Sequence, residues 1–366
     1  MSARNDQLGD ALDRLRRASR PLILIGPEGA PAVGLLLRLA DALGACVLTT
    51  PDALSLVEGT RSAGVFSFGA SEQARRAVGE ADVVLAASAL GEFGSRMGSA
   101  FGHHALIQVV ESIADAQCAR VPDVLLTGPV VATLTHLLEA FEARPRRVRA
   151  PWFRAEARHD EAASLPARAG TMHPRAALRA LCAGLPPGSR LCLDVTSGAL
   201  HAYEQVATGP GDRVFSSIER SACMGEALLA SLGIRLASGA PTLALVGDWG
   251  FCMAPHELHT AVELGLSRYV VVVWSNGGGA FIGAGVKQQG LRVPDPAWRW
   301  QTPVDFARLA EGLGARGVVV TDASDLTRAV AAGLTDERPV LIDAKIDPDA
   351  VVPAGDRFLT LGVERS

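Results

Sequence analysis

The sequence is short of the features that mark membrane, secreted and nucleic-acid-binding proteins. Aromatic residues make up only 5% of its 366 residues, and the formal net charge is −4. A chain with neither an excess of positive charge nor many stacking side chains is not expected to bind nucleic acid. No apolar run approaches the roughly 20 residues of a membrane-spanning helix, and the charged N-terminus lacks a signal-peptide core. We therefore predict a soluble, cytoplasmic protein that binds neither nucleic acid nor a membrane.

Cysteine usage gives no sign of a disulfide framework or of a zinc site. The six cysteines include no CxxC pair, and most lie in apolar contexts such as LGACVLTT and SRLCLDV. Disulfide-rich secreted proteins and zinc sites place their cysteines at short, regular spacings. We predict buried thiols in a reducing compartment.

Residues 1–143 form a first predicted domain, in which short apolar runs alternate with helical patterns. Strands are predicted at 21–25, 45–49, 81–87, 105–110 and 123–126, and helices at 7–17, from 31, at 71–79 and at 129–142. Strands that alternate with helices predict a parallel sheet covered on both faces. We therefore expect a Rossmann-like domain.

Residues 144–168 differ in composition and separate this domain from a second one. They are rich in Arg, Pro and Ala, which is typical of a linker that runs over the surface. Residues 169–366 alternate again, with strands predicted at 190–195, 242–246, 269–274, 317–321 and 339–346. The predicted fold class is α/β: two Rossmann-like domains with parallel sheets covered by helices on both faces.

Two features of the first domain are more typical of structure than of binding. Gly26-Pro27-Glu28-Gly29 follows the first strand but lacks the GxGxxG spacing of a dinucleotide loop, so a structural turn is the stronger interpretation. The pair His103-His104 is predicted to lie in a solvated loop rather than in a metal site.

The strongest functional pattern lies within residues 241–281. The apolar run 242–246 is followed by Gly247-Asp248, and the apolar run 269–274 is followed by Ser275-Asn276. Because ligands collect at the carboxyl ends of parallel strands, we expect Asp248 and Asn276 to converge. Carboxylate and amide oxygens suit Mg²⁺, which takes one or two protein oxygens beside phosphate oxygens and water. The pattern therefore predicts a site for a hard cation and an anionic ligand.

Neighbouring residues favour a phosphate-bearing ligand. Gly247 permits close approach of the backbone to a diphosphate, and Gly277–Gly279 allow a tight turn behind Asn276. Thr196-Ser197-Gly198 ends another predicted strand and opens a helix, whose N-terminal N–H groups suit an anion. The alternative is a helix-capping Asp248 and a plain Asn-Gly turn. Asp248 and Asn276 end the two strands of one complete strand–helix–strand unit, and this arrangement favours the functional interpretation.

This stretch resembles the diphosphate-binding motif of the thiamine-diphosphate (ThDP) enzyme superfamily, in which GDG precedes NN. The intervening pattern FxMxxxELxTAxxxGL is matched by Phe251, Met253, Glu257, Leu258, Thr260, Ala261, Gly265 and Leu266. Residues 1–143 are similar to the family's central domain, so that the resemblance covers nearly the whole chain. Two positions depart from the motif: Trp249 replaces the second Gly, and Ser275 replaces the first Asn. We expect Trp249 to narrow the pocket without disabling it.

The resemblance implies a role for each site residue. Mg²⁺ would be bound by the side chains of Asp248 and Asn276 and by the backbone carbonyl of Gly278. Met224 would be the wedge that bends ThDP, and the carbonyl of Ala222 would accept from its amino group; core packing is the alternative for Met224. The implied cofactor-binding residues are Thr196, Ser197, Gly198, Ala222, Met224, Gly247, Asp248, Trp249, Gly250, Asn276 and Gly278.

The resemblance also implies that another chain supplies part of the active site. Members of this group carry pyrimidine-binding, central and diphosphate-binding domains in that order, and this chain begins at the central one. The activating glutamate belongs to the pyrimidine-binding domain, so no catalytic residue is assigned to this chain. We expect a split enzyme for a small 2-oxo acid, acting by decarboxylation or acyloin-type carboligation. Its partner would be a pyrimidine-domain subunit in an α₂β₂ heterotetramer.

Alternatives from other classes stay open. Trp249 and Ser275 are compatible with a non-catalytic or regulatory ThDP-binding subunit. A nucleotide- or flavin-binding protein would use residues 1–143. A zinc enzyme would use His256 and His259, although HELH is not the HExxH motif.

The sequence does not identify the substrate. The segment after the metal motif offers four candidates to line the entrance of the site: Phe281, Lys287, Gln288 and Trp298. Lys287 is placed to attract a carboxylate, and surface packing is the alternative for each of the four.

Overall fold

The protein is described here from a computed structural model. The structure describes residues 2–353 with short gaps, which lie at 58–60, 68–70, 89–103, 117–120, 144–149, 155–164, 207–210, 217, 219–221 and 295–296. The chain divides into two compact units, Met1–Ala157 and Arg158–Ser366. The division falls inside the stretch predicted as a linker.

Unit 1 is built on a five-stranded parallel sheet in the order β2-β1-β3-β4-β5. Its strands are β1 Pro21–Ile25, β2 Cys46–Thr49, β3 Val83–Ala87, β4 Ala105–Val110 and β5 Val124–Thr127. Its described α-helices are α1 Ser2–Arg17, α2 Val33–Leu43, α3 Glu72–Glu80 and α4 Val130–Glu142. All five strands were predicted at these places, because each is an apolar run buried between helices.

Apolar side chains pack on both faces of this sheet. Ile23 and Ile25 of β1 belong to the core cluster that contains Leu36 of α2. Leu22 and Leu24 belong to a second core cluster, on the opposite face of the sheet. Alternate residues of a strand point to opposite faces, so a strand buried on both sides is apolar throughout. The prediction of a sheet covered on both faces is confirmed.

The conformation of the GPEG segment differs from the predicted turn. Pro27–Ala32 forms a 3₁₀-helix, and the α-helix begins only at Val33. A Cβ on Gly26 would lie 2.3 Å from the hydroxyl oxygen of Ser88, so the strand ends are in close contact there. His104 is buried, in contrast to the solvated loop that was predicted, and His103 lies outside the described residues.

Part of the predicted linker packs against unit 1. The indole N–H of Trp152 donates to the carbonyl oxygen of Pro21 at 2.7 Å. Phe153 joins the second core cluster, and the guanidinium of Arg76 lies 5.2 Å from its ring centroid. Aromatic burial and a cation–π contact therefore anchor this segment.

Unit 2 is built on a six-stranded parallel sheet in the order β10-β11-β9-β8-β6-β7. Its strands are β6 Arg190–Leu193, β7 Arg213–Ser216, β8 Thr242–Gly247, β9 Tyr269–Ser275, β10 Arg316–Val320 and β11 Val340–Lys345. Its described helices are α5 Pro174–Ala183, α6 Ser197–Gln205, α7 Glu226–Ser238, α8 Asp248–Met253, α9 His256–Glu263, α10 Ala280–Gln288, α11 Phe306–Gly312 and α12 Ala323–Gly333.

The centre of this sheet positions the predicted site. β8 and β9 are neighbours, with Gly247 opposite Trp274, and both strands are buried almost throughout. The two strands are parallel and end at the same edge of the sheet. Asp248 follows β8 directly, and Asn276 follows β9 directly. The sequence therefore predicted correctly that these two residues follow neighbouring strands of one sheet.

None of the described helices combines the length and the apolarity that crossing a membrane requires. Two of the cysteines, Cys223 and Cys252, are exposed, contrary to the expectation of buried thiols, whereas Cys46 and Cys192 are buried as expected. Cys118 lies outside the described residues.

Candidate functional site

Asp248 and the loop after β9 are joined directly. The carboxylate of Asp248 accepts two backbone hydrogen bonds, from the N–H of Trp249 to Oδ1 at 2.9 Å and from the N–H of Gly278 to Oδ2 at 2.7 Å. Gly278 has φ +135° and no space for a side chain, since a Cβ there would lie 2.2 Å from the carbonyl oxygen of Trp298. Glycine is therefore required at this position.

The carboxylate of Asp248 lacks a positively charged side chain. It is 2% exposed, and among the described residues no Lys, Arg or His forms an ion pair with it. Burial raises the pKa of Asp248 to about 6, although the N–H groups of Gly278 and Trp249 act in the opposite direction. A buried carboxylate is stabilised by hydrogen bonds to its oxygen atoms and by a counter-charge. A divalent cation would supply that charge, and the oxygen atoms gathered here are the ligands that Mg²⁺ prefers.

Asn276 completes this edge of the sheet. Its side chain is 9% exposed, and its Nδ2 donates to the hydroxyl oxygen of Ser197 at 3.2 Å. An amide held through its NH₂ group keeps its carbonyl oxygen for a cation. The carbonyl of Gly278, the third predicted ligand, accepts from the N–H of Ala280 at 2.9 Å and retains a second lone pair.

Thr196, Ser197 and Gly198 lie against the same edge. Thr196 precedes α6 without capping it, so its side chain does not occupy the N–H groups of the first turn. A Cβ on Gly247 would lie 3.0 Å from the hydroxyl oxygen of Thr196, and one on Gly198 would lie 3.1 Å from the ring of Trp274. The N-terminus of α6 and the end of β8 thus form one glycine-lined cradle that suits an anion.

Asp194, which follows β6, is a site residue that the sequence analysis missed. It is fully buried and accepts from the N–H of Gly225 at 2.9 Å and of Ala227 at 3.3 Å. Burial raises the pKa of its carboxyl group. A Cβ on Gly250 would lie 2.3 Å from its Oδ2, so α8 also packs directly on this carboxylate. Asp194 therefore ties the start of α7 to α8, and its position straight after an apolar run was the available signal.

Ala222 and Met224 lie in the segment that Asp194 holds. Ala222 has φ +50°, a conformation rarely adopted by a residue with a Cβ, and Gly225 after it has φ +85°. The side chain of Met224 is 42% exposed, so it does not fill the core of unit 2. Since a Cβ on Gly225 would lie 2.9 Å from the carbonyl oxygen of Gly250, this segment lies beside α8.

Trp249 belongs to the first turn of α8 and packs against the loop after β9, which carries the predicted metal ligands Asn276 and Gly278. A Cβ on Gly279 would meet its ring at 2.8 Å, and its ring stands edge-to-face with that of Trp300, with centroids 6.2 Å apart. Both rings line a cleft of about 610 Å³ next to the site. The cleft is lined by Trp249, Cys252, Met253, Arg299, Trp300, Gln301, Thr302 and Val304.

The candidates for the entrance do not form one wall. Trp298 is buried, whereas Lys287 and Gln288 are exposed on α10. A zinc site gains no support either. His256 lies 3.3 Å from Glu257, while His259 bonds to the carbonyl oxygen of Leu313, and the described part of the chain holds no group of three or more metal-ligating His, Cys, Asp or Glu.

Comparisons with known proteins identify both units. Residues 8–137 match the family model of the thiamine pyrophosphate enzyme central domain, and residues 197–344 match that of the C-terminal TPP binding domain. The chain is 24% identical to an acetolactate synthase of Bacillus subtilis over 97% of its own length and 64% of that protein. It is 28% identical to a probable 2-ketoarginine decarboxylase of Pseudomonas aeruginosa, over 93% of its length and 60% of the relative.

A solved structure shows the same fold. The thiamine diphosphate-dependent 4-hydroxybenzoylformate decarboxylase of Rhodococcus jostii RHA1 superposes with a TM-score of 0.74 and 21% sequence identity. The superposition covers 93% of this chain and 64% of the decarboxylase. The chain thus spans less than two thirds of each of these three proteins. It belongs to the thiamine-diphosphate-dependent enzyme superfamily, of which it carries the central and the cofactor-binding domains, and its cofactor is ThDP with Mg²⁺ as the usual partner ion.

Proposed function

We propose that this chain is the Mg²⁺–ThDP-binding subunit of a two-component enzyme that acts on a 2-oxo acid. The observation that carries the proposal is Asp248, a buried carboxylate beside Asn276 with no cationic side chain paired to it among the described residues. Asp248 stands at the end of β8 beside the end of β9, and Gly278 is bonded to it, so a cation there would reach the oxygen atoms of Asp248, Asn276 and Gly278 and would keep the carboxylate ionised.

Each residue has a separate task in this proposal. The carboxylate of Asp248, the amide carbonyl of Asn276 and the backbone carbonyl of Gly278 hold the cation. The N-terminus of α6 at Thr196–Gly198 and the backbone of Gly247–Gly250 hold the diphosphate. ThDP, when bound, supplies the electron sink that cleavage beside a carbonyl group needs.

The contact surface for the ring system of the cofactor is the segment before α7. The positive φ of Ala222 turns its backbone out of regular structure, and Met224 beside it is partly exposed instead of packed in the core. In this proposal the carbonyl of Ala222 accepts from the amino group of the cofactor and Met224 supports its bent conformation.

The reaction class is supported by the relatives. They include an acetolactate synthase, a probable 2-ketoarginine decarboxylase and an oxalyl-CoA decarboxylase of Escherichia coli that is 29% identical over 36% of this chain. We propose that this chain serves non-oxidative decarboxylation of a 2-oxo acid, acyloin-type carboligation, or both.

A partner subunit with a pyrimidine-binding domain and its glutamate completes the proposal. One side of α7 supports it: Leu229 and Leu236 are 48% and 56% exposed, and Ala230 and Gly233 between them are exposed as well. Met253 of the neighbouring α8 is 57% exposed as well. A surface of this kind next to a site is typical of a protein contact. We propose an α₂β₂ assembly.

The test mixes the purified chain with a candidate pyrimidine-domain protein, ThDP and Mg²⁺, and measures CO₂ release from 2-oxo acids. We expect little turnover from either protein alone and activity from the mixture. Asp248→Ala should abolish that activity, whereas Glu311→Gln, an exposed change on α11, should preserve it. Full activity of this chain alone would refute the two-component assignment. Metal-dependent ThDP binding without turnover in any mixture would favour a non-catalytic subunit.

A further inference from the structure

The segment Trp298–Trp300 is fastened to the loop that carries the predicted metal ligands. The N–H of Gly279 donates to the carbonyl oxygen of Trp298 at 2.6 Å, and the N–H of Trp300 donates to the carbonyl oxygen of Gly277 at 2.8 Å. Between them, Gly278 and Arg299 form an isolated antiparallel bridge. These backbone contacts hold the backbone of Trp300 beside Gly277–Gly279.

Trp249 covers this junction. Its ring occupies the space that a side chain on Gly279 would need, and it packs edge-to-face on Trp300 with an interplanar angle of 74°. The residue that departs from the GDG motif is therefore not an isolated bulky substitution. It belongs to an aromatic pair with Trp300, and a glycine at this position would remove that contact.

The indole N–H of Trp300 is buried without a hydrogen-bond partner among the described residues. An indole N–H only donates, and a buried donor left unsatisfied costs about 1–3 kcal/mol. Trp300 is bonded through its backbone N–H to Gly277, and the next residue, Gly278, donates to the carboxylate of Asp248, so the indole belongs to the segment that packs on that carboxylate. The indole, as a donor, also lowers the pKa of Asp248. The carboxylate already accepts from Trp249 and Gly278, and it still has lone pairs for a third donor and for a cation.

We propose that Trp300 is a positioning residue for the metal ligand Asp248, and that Trp249 shields the contact between them from water. When a divalent cation and a diphosphate occupy the loop, the indole N–H of Trp300 closes onto the Asp248 carboxylate and holds it in the orientation that the cation requires. This inference rests on the proposed function, since it assigns a role at the same site. It concerns only residues of this chain.

The test uses the full chain and a probe that needs no pyrimidine-binding partner: Mg²⁺ with inorganic diphosphate, titrated by calorimetry. Trp300→Phe keeps the aromatic packing and removes the N–H, and we expect it to weaken binding about tenfold, the size of one hydrogen bond to a charged group. The matched control is Trp152→Phe, which removes an indole N–H that donates to Pro21 in unit 1 and should bind within about twofold of the unaltered chain.

A spectroscopic readout separates positioning from a general structural effect. The chain has five tryptophans, so its ¹⁵N-labelled side chains give five indole N–H signals, and the one missing from Trp300→Phe is that of Trp300. In the unaltered chain this signal should move downfield when Mg²⁺ and diphosphate are added, because a hydrogen bond forms. Circular dichroism of each variant checks that it is folded, and the signal of the unaltered chain carries the test if Trp300→Phe does not fold.

The outcomes are distinct. Equal affinity of Trp300→Phe and the unaltered chain, or five indole signals that stay in place at saturation, would overturn the role of Trp300 and leave the proposed function intact. Failure of the unaltered chain to bind Mg²⁺ and diphosphate would overturn both.

Discussion

His201 of α6 is buried in a neutral form. Its side chain is 3% exposed, and its Nδ1 has no hydrogen-bond partner in the described part of the chain. Burial, with the charges of Arg175 and His173, lowers the pKa of His201 to about 3. In the unfolded chain the group titrates near 6.5, so the folded state binds fewer protons between these two values. Stability should therefore be lost as the pH falls below 6.5.

This pH dependence can be measured by urea unfolding. Between pH 7 and pH 5, His201 should cost the native chain about 2 kcal/mol of unfolding free energy. His201→Leu should remove that share of the loss. His256→Gln, at an exposed histidine, should leave it unchanged. An identical pH dependence for the His201 variant and the unaltered chain would contradict this account.

Two glycines should respond to alanine with opposite signs. A Cβ on Gly250 would lie 2.3 Å from Asp194 and displace a buried carboxylate that holds two N–H groups, so Gly250→Ala should lower the unfolding free energy by about 2 kcal/mol. Gly233 is exposed on α7 with nothing within 4 Å, so Gly233→Ala should raise it by up to about 1 kcal/mol. Denaturant titration of both variants decides, and a stabilising Gly250→Ala would refute the packing of α8 on Asp194.

Single residues were predictable where the chain itself carried the signal. Asp248 and Asn276 each come after an apolar run, and the parallel pairing of the two strands brings both residues to one edge of the sheet. Asp194 was missed because its two donors lie 31 and 33 residues further along the chain. Trp300 was missed because only the bridge between Gly278 and Arg299 brings it to the loop. Contacts of that kind follow from tertiary structure and not from local pattern.

At the scale of elements, β11 carries a charged pair inside the sheet. Asp343 is fully buried, and the ammonium group of Lys345 lies 2.7 Å from its Oδ2 and 3.4 Å from the hydroxyl oxygen of Ser275. Burial raises the pKa of Asp343, and Lys345 acts against that shift. Ser275, which stands where the motif has its first Asn, is thus tied to the next strand.

Removing the cation should be costly. Lys345→Met leaves Asp343 buried without its partner and should lower the unfolding free energy by about 2 kcal/mol, less than for a fully buried pair because Lys345 is partly exposed. Arg316, on the neighbouring strand β10, forms a more exposed ion pair with Asp336. Arg316→Met breaks that pair and should lower the unfolding free energy by less than about 1 kcal/mol. Thermal and urea unfolding of the two variants test this order, which equal losses would contradict.

Elements differed in how far the sequence revealed them. β8 and β9 were predicted almost to the residue because they are buried on both faces and therefore continuously apolar. β7 was missed because it is an edge strand whose alternate residues are exposed, so it has no apolar run. α10 was missed because Gly283 and Gly285 lower its helix propensity, and contact of Gly283 with Trp298 explains one of them.

At the scale of the whole molecule, every residue of the proposed site lies in unit 2. Asp194, the cradle at 196–198, Asp248, Asn276 and Trp300 all belong to Arg158–Ser366. In unit 1, Gly26 after β1 lies close to Ser88 after β3, since a Cβ on Gly26 would lie 2.3 Å from the Ser88 hydroxyl oxygen. The alternative of a nucleotide- or flavin-binding protein built on residues 1–143 gains no support from that contact.

The two units correspond to the two family matches: the central domain matches within unit 1, and the C-terminal TPP binding domain matches within unit 2. The order of elements and the parallel sheets could be predicted from sequence because apolar runs alternate with helices throughout. The anchoring of Trp152 on unit 1 could not, since a single aromatic residue among Arg, Pro and Ala carries no periodic signal.

The central claim is that Asp248 and Asn276 hold Mg²⁺ for the diphosphate of ThDP. Calorimetric titration of the full chain with ThDP, in Mg²⁺ and again in EDTA, tests it most directly, with Asp248→Ala and Glu311→Gln titrated in parallel. We predict binding in Mg²⁺ that is lost in EDTA and in Asp248→Ala, and retained in Glu311→Gln. ThDP affinity that is the same in EDTA, or unchanged by Asp248→Ala, would contradict the claim.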